Sequence, residues 1–149
     1  MASKSPALLL LCSALLLAVM CAASVSAETP YDKFLRQHYY NGGMSVQMCD
    51  SVMTRRSLVN PCKQTNSFII NAIKNDIIAV CKEAGKPYIT RDGRNLRISS
   101  KPFTVVTCNR KGGSNKPPCN YRGNRSTRNI VIDCVNDLPV HYEEGIIAA

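Results

Sequence analysis

The chain has 149 residues, with 19 Lys and Arg against 10 Asp and Glu for a formal charge of +9, eight cysteines and no tryptophan. That length accommodates one small domain and excludes a multidomain assembly. A basic balance of this size expects acidic partners, namely RNA, DNA, heparan-type polysaccharide or anionic lipid.

Residues 1–27 read as a signal peptide, and 28–149 as the folded domain. Lys4 gives a weakly positive start, Ala7 to Val19 is a leucine-rich apolar run, and Val25-Ser26-Ala27 has the small-x-small form of a cleavage site. The run is shorter than the ~20 residues a membrane-spanning helix needs. No later segment is long and apolar enough to anchor the chain, so the expected product is soluble and secreted. Cleavage after Ala27 removes Lys4 and no carboxylate, lowering the formal charge from +9 to +8.

From Thr29-Pro30 the spacing predicts a helix, because Pro30 suits a first turn and Tyr31, Phe34, Leu35 and His38 recur at helical intervals. Asn41-Gly42-Gly43 ends it. A second helix is expected over Val46 to Arg55, and Asn60-Pro61 breaks the chain before Cys62. Ile69 to Cys81 is the third helical candidate, with Ile73, Ile77, Val80 and Cys81 three or four residues apart and Asn71 as cap. Gly85-Lys86-Pro87 and Asp92-Gly93 read as turns. Strands are then expected at Leu96 to Ser99, Phe103 to Cys108 and Asn129 to Val135, with Arg110 to Pro118 as a basic loop. Asp137-Leu138-Pro139 turns into a last strand carrying His141. Helices first and strands second indicate an α+β fold.

Cys12 and Cys21 leave with the signal, and Cys49, Cys62, Cys81, Cys108, Cys119 and Cys134 remain. An even set in an oxidising compartment reads as three disulfides, whose pairing the spacing does not choose. Zinc is a poor alternative, since there is no C-x-x-C pair and both histidines are far in sequence from any cysteine. Each bridge is worth ~2–4 kcal/mol to a small domain.

The chemistry concentrates at three positions. His38 and His141 are the only histidines and stand near opposite ends of the secreted part, while Lys63 follows Cys62 between them. Two groups that titrate near neutral pH and one cation suit proton transfer at a phosphate. Taken singly, each has an ordinary structural reading.

The words around them add more. F-L-R-Q-H ends at His38, C-K-Q-T-N-S-F runs from Cys62 to Phe68, and L-P-V-H ends at His141, in that order. With Asn95-Leu96-Arg97-Ile98, Pro118-Cys119-Asn120-Tyr121, Arg128-Asn129-Ile130-Val131 and the six cysteines, the whole secreted part resembles the pancreatic-type ribonuclease (ribonuclease A) superfamily, in particular its angiogenins and angiogenin-like fish ribonucleases.

That resemblance implies three helices on a curved, V-shaped antiparallel sheet, with pairs Cys49–Cys108, Cys62–Cys119 and Cys81–Cys134. A fourth bridge common among pancreatic members has no cysteine available between Glu83 and Asn95. The resemblance also implies His38 as base, His141 as acid and Lys63 as stabiliser of developing phosphate charge, in RNA cleavage that needs no metal or other cofactor because the 2′-OH is the nucleophile. Gln37 would contact the scissile phosphate. Asn66, Ser67 and Phe68 would form the pyrimidine site, with serine at a position usually held by threonine. Tyr142 would flank the site, and Lys33 and Arg36 would touch a neighbouring phosphate.

Three departures point to modest catalytic power. Glu143 stands where aspartate usually orients the acid histidine. Glu144 stands where angiogenins carry an obstructing glutamine, which leaves both an open and a blocked pyrimidine site in play. Val135 replaces a glutamate that helps hold the downstream base. Arg55-Arg56 overlaps the nuclear or nucleolar address of angiogenins, and an exposed helix end is the plainer reading. The partners implied are single-stranded, pyrimidine-containing RNA such as tRNA, and a ribonuclease inhibitor. An anionic cell-surface polysaccharide or a bacterial membrane follows from charge. An angiogenic ligand or a cationic antimicrobial protein is the alternative to bulk RNA degradation. A monomer is the default.

Overall fold

A computed structural model describes residues 26–146. The signal segment lies outside the described residues except for Ser26 and Ala27. Helix α1 (Pro30–His38) starts where Thr29 Oγ1 accepts the Asp32 amide at 3.1 Å, with Pro30 in the first turn. A 3₁₀ turn (Val46–Met48) leads into α2 (Cys49–Arg55), filling the span expected for one helix.

The third helix departs from the sequence reading. Its regular part, α3, covers only Lys74–Val80. Ile69 and Ile70 belong instead to strand β1 (Thr65–Ile70), where they pair with Val105 and Thr104 and are buried. Asn71 does not cap the helix: its φ of 54° turns the chain between strand and helix, and the residue before α3, Ile73, makes no side-chain cap bond. Helical spacing of isoleucines misleads here because a strand buried on both faces is also a continuous apolar run.

The remaining strands are β2 (Gly85–Ile89), β3 (Asn95–Ser99), β4 (Phe103–Arg110), β5 (Tyr121–Arg128), β6 (Val131–Val135) and β7 (Leu138–Tyr142). They form two antiparallel sheets arranged as a V, ordered β1-β4-β5 and β2-β3-β6-β7. Gly85-Lys86-Pro87, expected to turn, opens edge strand β2, a position where proline is tolerated. Gly85 is required there, since a Cβ would lie 1.9 Å from the Val80 carbonyl oxygen. Strand β5 has no counterpart in the sequence reading. It is an edge strand rich in Arg, Asn, Ser and Thr, so it lacks the apolar signature of a buried strand.

Two apolar clusters hold the sheets to the helices. Met44, Val52, Met53, Leu58, Phe68, Ile70, Val106 and Tyr121 pack around α2 and β1. Phe34, Tyr39, Ile69, Ile77, Val80, Val105, Ile130, Ile132 and Tyr142 pack between α1, α3 and both sheets. The disulfides are Cys49–Cys108, Cys62–Cys119 and Cys81–Cys134, as the family resemblance implies. Among the described residues no helix is long and apolar enough to cross a membrane.

Candidate active site

Amphipathic α1 turns His38 inward, and the residue is only 3% exposed. Its ring stacks on Tyr142 with centroids 5.2 Å apart and tilts against Phe34 at 5.5 Å. Nδ1 lies 2.8 Å from the Ser67 carbonyl, which only accepts, so Nδ1 carries the hydrogen and Nε2 keeps its lone pair. Burial pushes the ring pKa down to about 3, with the charges of Lys63 and His141 acting in the same direction and the Ser67 bond opposing them. The Ser67 bond thus leaves His38 Nε2 as the nitrogen open to a ligand, and the charges of Lys63 and His141 both bear on the ring.

Lys63 is held from below. Its amide bonds the Leu58 carbonyl and its own carbonyl accepts the Tyr121 hydroxyl at 2.7 Å. Lys63 Nζ donates to Asn66 Oδ1 at 2.7 Å, and Asn66 Nδ2 donates to the Gln37 carbonyl at 2.7 Å. Fully buried Asn66 therefore ties the lysine to α1 just before His38. Desolvation lowers the Lys63 pKa and Glu144 opposes that shift.

His141 stands exposed on β7, opposite Asp133 of β6. Its Nε2 is 3.1 Å from Glu143 Oε2. A carboxylate accepts, so Nε2 carries hydrogen and Nδ1 is left for a ligand. Arg94, in the turn between β2 and β3, holds both oxygens of Glu143 at 2.9 and 2.7 Å and pairs with Asp92 at 3.0 Å. Arg94 is the main cause of the lowered Glu143 pKa. The sequence reading missed Arg94, because nothing local marks a hairpin-turn arginine as a partner for a residue 49 positions away. His141 shares a groove of about 730 Å³ with Lys33, Gln37, Tyr31, Val135 and Val140.

Ser67 is buried on β1, with Oγ 2.9 Å from Thr107 Oγ1 on β4. Glu144 closes on it: Oε1 accepts the Ser67 amide at 2.7 Å and Oε2 accepts its hydroxyl at 2.6 Å. With its hydroxyl hydrogen committed to Glu144, Ser67 Oγ accepts from Thr107. Burial raises the Glu144 pKa, against the Ser67 bonds and the charges of Lys63 and Arg128.

Other predicted site residues fall elsewhere. The Phe68 ring is fully buried in the α2 cluster. Side chains alternate along a strand, so when Ser67 faces the site Phe68 faces the core; its expected role in binding is corrected to packing. Arg36 is engaged elsewhere. Its guanidinium binds Glu28 at 2.8 and 3.0 Å and the Arg56 carbonyl at 2.7 Å, in a separate niche with Tyr39, Arg56 and Lys74. Arg56 donates to the carbonyls of Leu35, Arg36 and Tyr39 and so caps α1, whereas Arg55 is exposed. Among the described residues no group of three or more His, Cys, Asp or Glu is arranged to hold a metal ion.

The sequence matches the pancreatic ribonuclease family over residues 29–143. It is 49% identical over 119 residues to an angiogenin of Chlorocebus aethiops, covering 78% of each chain. It is 42% identical over 148 residues to angiogenin-4 of Mus musculus, covering 98% of this chain and 99% of that one. The fold is similar to the crystal structure of green turtle egg white ribonuclease, with a TM-score of 0.72, 42% identity, and coverage of 80% of this chain and 100% of that one.

Proposed function

This chain belongs to the pancreatic ribonuclease family, and from that premise we propose that it is a secreted endoribonuclease cutting single-stranded RNA on the 3′ side of pyrimidines. Its release as residues 28–149 follows cleavage after Ala27. His38 Nε2 takes the proton of the ribose 2′-OH, which attacks phosphorus. His141, through Nδ1, protonates the departing 5′-oxygen. A 2′,3′-cyclic phosphate results, and the two histidines exchange roles when water opens it. Lys63, fixed by Asn66, faces the negative charge that builds on the non-bridging oxygens. Gln37 and Lys33 line the groove beside His141 and serve the phosphate chain.

The observation that carries this reading is the tautomer geometry. Two carbonyl or carboxylate acceptors, Ser67 O and Glu143 Oε2, each hold one nitrogen of a histidine and free the other for substrate. The Ser67 amide and hydroxyl are a donor pair suited to a pyrimidine edge, and Glu144 occupies both, which supports modest activity. An angiogenin-like signalling role accompanies this chemistry. Only Arg55 of the basic pair is free for a nuclear address, since Arg56 caps α1.

The test is a rate on tRNA and on pyrimidine dinucleotides. Each of His38→Ala and His141→Ala should lower it by roughly 10²–10⁴-fold. Absence of cleavage by the unaltered protein at micromolar concentration would sink the reading.

A further inference from the structure

Strand β5 contains Asn124-Arg125-Ser126, the one place in the sequence with asparagine, any residue but proline, then serine or threonine. In a chain that passes through the secretory route this triplet is an acceptor for N-linked oligosaccharide. The fold leaves room for one. Asn124 is exposed on the edge strand of the β1-β4-β5 sheet, and its side-chain amide takes part in none of the side-chain hydrogen bonds among the described residues. We propose that Asn124 is an N-glycosylation site whose glycan stands on the RNA-facing side of the sheet.

Register sets the side on which the glycan stands. Ser67 pairs with Thr107, and Thr107 pairs with Asn124. Directly opposed residues of an antiparallel pair project to the same face, and the 2.9 Å Ser67–Thr107 hydroxyl contact identifies that face. Asn124 is therefore two strands across from the pyrimidine-reading serine, with Arg122, Ser126 and Arg128 alternating beside it on the same face. On the opposite face the strand is packed at its start, where Tyr121 is buried and a Cβ on Gly123 would meet the Val46 carbonyl oxygen at 2.3 Å.

In the modification, Asn124 Nδ2 bonds to the anomeric carbon of the first sugar of a lipid-diphosphate-linked oligosaccharide. The anomeric carbon–phosphate bond breaks, the lipid diphosphate leaves, and one amide proton is released. The attached glycan shelters Arg122 and Arg128 and restricts long RNA while leaving a dinucleotide free to enter. This second consequence rests on the ribonuclease reading; the modification itself does not.

The full chain, secreted from vertebrate cells, is weighed before and after treatment with a peptide-N-glycosidase. The unaltered protein and Ser126→Thr should lose mass, whereas Asn124→Gln and Ser126→Ala should not. A secreted, unaltered protein whose mass the enzyme does not change overturns the proposal, whatever the protein does to RNA. Removal of the glycan should then raise cleavage of long RNA several-fold and leave dinucleotide cleavage unchanged. Equal effects on both substrates would overturn the placement on the RNA-facing side.

Discussion

Glu144 commits both carboxylate oxygens to the Ser67 amide and hydroxyl, the two groups proposed to meet a base. Hydrogen bonds to a charged group are worth about 1.5–3 kcal/mol net. Freeing Ser67 with Glu144→Ala should therefore raise kcat/KM on pyrimidine dinucleotides by roughly ten- to a hundredfold. Glu144→Gln retains one acceptor oxygen and should give a smaller rise. Unchanged dinucleotide rates in both variants would show that the carboxylate does not limit access. His38 carries a different prediction. Its native pKa is lowered to about 3 from an ordinary 6.5 by burial. As pH falls below about 6.5 the unfolded chain binds a proton that the native chain refuses, so this residue's stabilising contribution is complete above that pH. It is lost progressively down to about pH 3. Thermal melts should show the unaltered protein losing Tm more steeply between pH 6.5 and 4 than His38→Ala. Parallel slopes would mean that the native ring takes up its proton at an ordinary pH.

The turn between β2 and β3 reaches the active site through one side chain. Arg94 fixes Glu143, and Glu143 fixes His141, so a hairpin turn sets the orientation of the proposed acid. The Arg94 ion pairs are partly exposed, so solvent and salt screen them and their hold on Glu143 is modest. Arg94→Ala should lower kcat up to roughly fivefold with KM little changed, and Arg94→Lys should restore part of the loss; a change confined to KM would remove Arg94 from this role. The Arg94–Glu143 half of this linkage is not legible in the sequence, because it joins residues 49 positions apart, whereas Glu143 and His141 are near neighbours. What is legible is local. The Thr29-Pro30 start of α1, the position of His38 on it, and the Cys62–Phe68 word all depend on near neighbours. The limits of α3 are obscured because β1 runs straight into a helix of similar composition, and β5 because its cations resemble a loop. Phe68 and Arg36 show the same divide: the right words are present, but strand alternation and a competing carboxylate at Glu28 send their side chains elsewhere.

Charge at the scale of the whole molecule is unevenly laid out. No Asp or Glu lies between Asp92 and Asp133, a stretch that contains β3, β4, β5 and the basic loop of residues 110–118. An RNA strand crossing this surface releases counterions, and log K falls with log salt by about 0.7 per phosphate contacted on a single strand. A dinucleotide brings one phosphate, so its cleavage should depend weakly on salt, while cleavage of long RNA should depend steeply. The two faces of β5 separate steering from general basicity. Arg122 shares the face of Asn109, Thr107 and Ser67, whereas Arg125 pairs with core residue Val106 and projects to the other side. In protein lacking any glycan, Arg122→Ala should reduce the salt slope of kcat/KM on long RNA by about 0.7, the loss of one phosphate contact. Arg125→Ala removes the same formal charge from the same strand and should leave the slope unaltered. Equal reductions would mean that long RNA responds to the net charge of the molecule, and a path across the Ser67 face would have to be abandoned.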